Sequence, residues 1–420
     1  MILARRFITL LILFSTLLAC SVSSQTQKPP NQAPERLAIR AAGLLDVAEG
    51  KLINNAVVLI EGDKIIAAGS NLNVPRETKT IDLGDATILP GLIDTHTHIT
   101  YHFDENGIFG LSGDASQQIT LKYAAENARL TLEAGFTTIR SLGAFGGADI
   151  ALRDAIKRGE TNGPRILVSG EPLTPNIFRG GEKKAERIEV IRQFVRARIE
   201  EGVDVIKIFE GVDKLNEPLF SSREIRAAVD EARAANLKVA VHAHEAAAII
   251  AAVEGGCDSI EHGTFLNDEA IRLMAKNHTA LVPTVYLPTH YLEHKKQFAF
   301  DDATWRFFET LKARNQENLK RARNRGVWVV DGSDAVAGMH GRNAREIIWL
   351  VKAGMKPAEA IRAASVDAAE LIGLKNQTGE IRAGLLADII AVSGNPLNDI
   401  NNLERVAFVM KSGKVFKSNL

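Results

Sequence analysis

Through the middle of the chain, short apolar runs alternate with longer stretches whose apolar residues recur every three to four positions. The first pattern suits strands buried on both faces, the second amphipathic helices. Strand patterns fall at Thr87–Ile93, Thr137–Leu142, Arg165–Ser169, Val205–Phe209, Lys238–Val241, Ser259–Glu261, Ala280–Val285 and Val327–Val330. Helical periodicity covers Ser116–Ala134, Ile150–Arg158, Ala185–Glu201, Ser222–Ala235, Ala246–Glu254, Asp268–Asn277 and Thr304–Asn324, with Arg342–Ala353 and Pro357–Gly373 after the last strand. Parallel strands need long, usually helical, crossovers, and eight such units close on themselves. The pattern therefore predicts a (β/α)8 barrel. An open doubly wound sheet is the alternative, but no Gly-x-Gly-x-x-Gly opens a helix here.

The two ends of the chain pattern differently. Val57–Ile60, the turn Glu61-Gly-Asp-Lys64 and Ile65–Ala68 read as a hairpin. Gly379–Gly384, Ala387–Val392 and Val406–Met410 carry further strand and turn signals. These predict one small sheet domain built from both termini, over 37–88 and 376–420, flanking a barrel over 89–375.

The first residues predict export. Arg5 and Arg6 precede Phe7–Ala19, a mostly apolar run of 13 residues, too short to span a bilayer and suited to a signal segment over 1–19. The run ends Leu17-Leu-Ala-Cys20, which resembles the lipobox of bacterial lipoproteins; an ordinary cleaved signal is the alternative. Residues 20–36, polar and containing proline, read as a tether. The expected location is the periplasm or cell envelope, with membrane attachment only through a lipid on Cys20. The one other cysteine, Cys257, suits a small buried position, so no intrachain disulfide is expected. Lys plus Arg equals Asp plus Glu, 51 against 51, which gives no footing for nucleic acid or anionic lipid.

Candidate chemistry collects where barrels carry it, at the C-terminal ends of strands. In Thr95-His96-Thr97-His98 the two imidazoles are two residues apart, on one face of an extended chain, where they can grip one metal ion. Lys207 is a charge inside the apolar strand Val205–Phe209. His242 and His244 end strand 5, His262 ends strand 6, and Asp334 follows strand 8. Of ten histidines, five lie at these strand ends.

This order resembles the amidohydrolase superfamily. The matching pieces are Leu89-Pro-Gly-Leu-Ile-Asp-Thr-His-Thr-His98, Ile206-Lys207, Val241-His-Ala-His244, Ile260-Glu-His-Gly263, Gly332-Ser-Asp334, Gly354–Ile361 and Ala383–Asp388. Within it, the chain is most similar to the imidazolonepropionase-like branch with its binuclear-zinc prolidases and Xaa-Pro and Xaa-Arg dipeptidases. The resemblance implies a barrel with a β-sandwich domain and two Zn²⁺ ions. His96, His98 and Asp334 would hold one ion, and His242 and His262 the other. A carboxylated Lys207 would bridge them. It also implies hydrolysis of an amide bond by a metal-activated water, with Asp334 carrying the proton to the leaving nitrogen. The substrate class implied is a dipeptide or N-acyl amino acid with a free carboxylate, and self-association fits barrels of this kind.

Each assignment has a plain alternative. Lys207 suits an ion-paired barrel lysine, and Asp334 a turn cap. His242 is taken as the ligand because it stands twenty residues before His262, as in related members, which leaves His244 to contact substrate. After strand 3 related dipeptidases carry a histidine that polarises the carbonyl. Here Arg179 stands at that point, as a cation for a carbonyl or carboxylate, or as a solvent-exposed loop residue. Arg342 and Asn343 are further substrate-contact candidates, and Tyr286 and His290 candidate pocket residues. His102, His278, His290 and His294 read as surface or loop histidines. A cyclic-amide or lactone/ester hydrolase on the same metals, and a catalytically dead envelope binding protein, are the rival functions.

Overall fold

A computed structural model of the protein describes residues 35–110, 116–178, 180 and 183–419. The signal segment, Cys20 and most of the tether lie outside the described residues, as does Arg179.

The terminal strands form one sheet. Arg36–Asp46 and Lys51–Glu61 pair antiparallel, Lys64–Ser70 adds to the second, and Lys79–Asp82 runs parallel to the first. Ala86–Pro90 lies between Arg36–Asp46 and the C-terminal strand Ile389–Ser393, and Val406–Lys411 and Lys414–Ser418 complete eight strands. Ile65 N donates to Leu385 O (2.9 Å) and Gly384 N to Ile65 O (2.8 Å), so the far edge curls back to the chain entering Ile389–Ser393. The curl encloses a core that includes Ile39, Val58, Ile88, Ile389 and Phe408. Satisfying an edge in this way removes an open hydrogen-bonding row.

The apolar run Thr87–Ile93, expected as one strand, is two strands in two sheets. Gly91 N donates to Asp388 O in the terminal sheet, and the next amide, Leu92 N, donates to Gly135 O in the barrel. The switch needs glycine: a Cβ on Gly91 would lie 2.1 Å from Thr137 Oγ1. An apolar run carries no mark of such a change of partner, because both halves are buried.

The barrel strands are Leu92–Thr97, Phe136–Ser141, Arg165–Val168, Val205–Phe209, Lys238–Glu245, Ser259–Phe265 and Ala280–Val282. Ladders join strands 1 to 3 and 4 to 7, all parallel. Single bridges close the ring at Leu173 with Ile208, Leu281 with Val329, and Thr97 with Ala335. Strand 8, expected over Val327–Val330, keeps only the bridge at Val329, because the chain then turns at Gly332 and Asp334 into the mouth. Strands 5 and 6 run past their expected ends, so His242, His244 and His262 still lie on strands.

Helices cover the barrel in the expected order. Ser221 starts Ser222–Ala234 with a capping box, its amide 2.7 Å from the Glu224 carboxylate. The connection from strand 7 to strand 8 is long and holds a short helix the sequence reading missed, Leu287–Glu293, before Asp302–Asn324. With the loop after strand 1 it forms a separate aromatic cluster over the mouth. Tyr101, Phe103, Phe109, Tyr291, Phe298, Phe300, Trp305 and Phe308 pack there.

Candidate metal centre

All five strand-end histidines converge at the mouth, where part of the backbone is left-handed. His262 within strand 6, and Thr284 and Asp334 after strands 7 and 8, have φ of +75°, +47° and +52°. Such values are uncommon outside glycine and gather where side chains must be aimed. Close approach matters as much. A Cβ on Gly332 would lie 2.4 Å from Val282 Cγ1 and 2.9 Å from His96 Cβ. Gly332→Ala is therefore expected to cost roughly 1–3 kcal/mol by overpacking. It should also displace His96, read as a lower melting temperature and weaker metal binding in a chelator competition.

Two groups of ligand-type atoms result, each with its atoms within 4.8 Å of one another: His96, His262 and Asp334, and His242, His244 and His262. His98 joins the first, its Nε2 3.1 Å from Asp334 Oδ1, while His96 Nε2 lies 3.4 Å from the same oxygen. The far ring nitrogens face oxygen. His96 Nδ1 is 2.8 Å from the Glu261 carboxylate and His98 Nδ1 3.4 Å from Gly143 O. Both oxygens only accept, so the protons belong on Nδ1 and each Nε2 turns a lone pair toward Asp334. Lone pairs facing a carboxylate repel unless a cation sits between them. Around a tetrahedral ion with bonds near 2.05 Å, ligands lie roughly 3.3 Å apart, close to what is found. His262 Nδ1 and His244 Nδ1 are likewise held, by Thr284 Oγ1 (2.8 Å) and Thr264 Oγ1 (2.9 Å).

The charges suit the same purpose. Burial pushes the imidazoles of His242 and His262 well below their usual range and that of His244 to about 4. They are neutral at pH 7, as ligands must be. Burial opposes ionisation of Asp334, but His96, His98 and Lys207 outweigh it and hold the carboxyl below its ordinary range. Lys207 is fully enclosed and its Nζ has no hydrogen-bond partner. Burial brings it down to about 8, against the pull of Glu261 and Asp334. The ion-paired alternative for Lys207 is not what the geometry shows.

The sequence reading passed over what orients the cluster. Glu261 is buried, accepts from Arg140 Nη2 (3.0 Å) and Ser259 Oγ (2.6 Å), and presents its other oxygen to His96. Burial would raise its carboxyl, but Arg140 and His96 bring it down to about 2. Tyr101 was also missed; it stacks on His98 at 4.5 Å. Several expectations need correcting. Asn343 does not face the mouth: it is fully buried and donates to Asp94 Oδ2 (2.8 Å). His102 and His290 are buried rather than superficial, one stacked on Tyr123, the other 3.0 Å from Ala337 O. Tyr286 is enclosed, its hydroxyl bonded to Arg345 and Glu293. His278 is exposed and stacks on Trp328, and His294 is half-buried.

In front of the cluster lies a cavity of about 390 Å³ reached by His98, His242, His244, His262 and Asp334. Tyr286, His290, Arg342 and Asn343 do not line it. A larger cleft of about 580 Å³ opens at the other end of the barrel, beside Lys238, Asp258, Thr279 and Trp328, where the strands begin. Barrels carry chemistry at the opposite face, so size does not decide between them.

Residues 87–416 match the family model described as the amidohydrolase family. An ochratoxinase of Aspergillus niger is 30% identical, the alignment covering 94% of this chain and 91% of that protein. An imidazolonepropionase of Symbiobacterium thermophilum is 26% identical over 82% of this chain and 85% of that one. Among solved structures, a Xaa-Pro dipeptidase with methionine bound in its active site superposes with a TM-score of 0.82 at 31% identity, covering 91% of this chain and 100% of that chain.

Proposed function

The chain belongs to the amidohydrolase family, and on that premise we propose that it is a binuclear zinc enzyme hydrolysing the amide bond of a small dipeptide or N-acyl amino acid with a free carboxylate. The observation that carries this is the pair of ligand groups sharing His262, with the unpartnered Lys207 amine enclosed beside them. In this reading His96, His98 and Asp334 hold one ion and His242 and His262 the other. Neutral Lys207 would add to CO₂, forming an N–C bond and releasing one proton, and the carbamate would serve as a further ligand to the pair. Imidazoles with oxygen ligands suit Zn²⁺. When bound, the ions lower the pKa of a shared water and polarise the substrate carbonyl.

The protein's own groups supply the rest. Asp334, whose carboxylate faces Nε2 of His96 and His98, takes the proton of the attacking water and returns it to the leaving nitrogen. His244, fixed by Thr264, faces the cavity and positions substrate. Arg179 is assigned to the substrate carboxylate from its place after strand 3. We also place the enzyme outside the cytoplasm, lipid-anchored at Cys20, on the strength of Arg5, Arg6 and Phe7–Ala19.

A library of dipeptides, N-acyl amino acids, cyclic amides and lactones on zinc-reconstituted protein tests the reading. Linear amides with a free carboxylate should be turned over best, with the activity lost on chelation and restored by zinc. Selective turnover of lactones or cyclic amides, or chelator-resistant hydrolysis, would count decisively against it.

A further inference from the structure

The cavity beside the histidines is walled by rings and aliphatic side chains, three of them from one helix. Asp302–Asn324, capped by Asp301 (2.7 Å to Thr304 N), presents Phe307, Phe308, Leu311 and Asn315 to it. Tyr101 and Tyr291 line the same space. Tyr291 stacks on Phe308 at 4.5 Å, and Phe307 meets the His244 ring edge-on at 5.5 Å, so the aromatic wall runs up to the ligand cluster. Among the described residues that line the cavity there is no lysine or arginine, and Asp334 is the one carboxylate. Asp334 is already committed to His96 and His98. The other polar groups of the helix face and opposite wall, Thr304, Asn315 and Thr284, are neutral.

We propose that this cavity takes the acyl half of the substrate, that this half is uncharged and aromatic, and that the enzyme prefers aryl-acyl amino acids to free dipeptides. The inference rests on the amide-hydrolase reading and narrows it. A dipeptide carries two charges. Its carboxylate finds no cation among the described residues of the cavity, so the leaving amino acid belongs on the other side of the mouth, toward the loop after strand 3. Its α-ammonium would then enter the cavity and lose water with no free acid to meet it, which is costly. An acyl group without the ammonium avoids that loss. A flat ring adds stacked and edge-on contacts with Phe307, Phe308, Tyr101 and Tyr291.

The test uses compounds that differ by one group. 3-Phenylpropanoyl-leucine and phenylalanyl-leucine share everything except the α-ammonium, and acetyl-leucine removes the ring. On zinc-reconstituted protein, kcat/KM for the phenylpropanoyl compound is expected to exceed that for the dipeptide by about 30-fold or more. Binding of the same pair to metal-free protein by calorimetry should follow the same order. Phe307 is 37% exposed, so Phe307→Ala should fold, and it should cut the phenylpropanoyl-to-acetyl ratio by roughly tenfold. Equal turnover of the matched pair overturns the inference and leaves amide hydrolysis standing. So does a ring preference unmoved in both Phe307→Ala and Phe308→Ala. Metal-loaded protein inert to all three compounds overturns the amide-hydrolase reading, and the inference falls with it.

Discussion

Lys207→Ala is expected to yield a folded protein that holds less than half its zinc and hydrolyses its substrate roughly 1,000-fold more slowly, since several kcal/mol of transition-state stabilisation depend on the ion pair. The stability change should have the opposite sign. In the metal-free protein the Lys207 amine is enclosed without a hydrogen-bond partner, and an unpaired buried polar group destabilises. Alanine removes that group from a strand whose neighbours Ile206 and Ile208 are core residues. Metal-free Lys207→Ala should therefore melt no lower than the metal-free parent. A lysine kept for an ion pair would behave otherwise, losing stability with little change in metal content. The amine also has a pH signature. It reacts with CO₂ only when neutral, and burial lowers it to about 8. Compared with a lysine at its usual value of 10.5, the neutral fraction at pH 7 is roughly 300-fold larger. At fixed dissolved CO₂, the rate of reconstitution with zinc should rise about tenfold per pH unit below pH 8 and level off above it. A rate independent of CO₂ and pH, with zinc content unchanged in the variant, would remove the bridging role.

What the sequence made legible divides along a physical line. Features set by short-range periodicity came through. The two-residue spacing of His96 and His98 follows from the strand repeat, and the alternation of strands and helices gave the barrel before any contact was known. The strand-end location of His242, His262 and Asp334 followed from that order. Features set by long-range contact did not. Glu261 meets Arg140 across 121 residues and reads in sequence only as one acid in a strand. The passage from one sheet to the other at Gly91 lies within a continuous apolar run. His290 is buried against Phe298 of the aromatic cluster and His102 against Tyr123 of the following helix, so nothing local separates them from surface histidines. Asn343 looked free because it follows the last strand, yet Asp94, nearly 250 residues away, takes its amide.

Glu261→Gln should separate two tasks that one carboxylate performs. The substitution keeps the shape and removes the charge. Toward Arg140 the loss leaves a guanidinium buried with its partner gone, and breaking such a pair costs about 3–5 kcal/mol. Toward His96 the loss replaces the anionic acceptor that holds the proton on Nδ1 (2.8 Å), and so leaves Nε2 free to act as a ligand, with at best a neutral amide oxygen. Changes to groups that orient a metal-bound imidazole weaken metal affinity by about 10- to 100-fold. A single variant confounds the two, because a loosened fold also binds metal poorly. Adding Arg140→Met removes the stranded charge, and apolar replacement of a buried pair is often neutral or stabilising. The double variant should thus recover most of the lost melting temperature while its zinc affinity, by chelator competition, stays low. If stability and affinity recover together, Glu261 serves only to balance Arg140. If affinity alone stays depressed, the carboxylate acts on the ion through the His96 tautomer. The second outcome is expected, since Glu261 offers a separate oxygen to each partner: Oε1 to Arg140 and Ser259, Oε2 to His96.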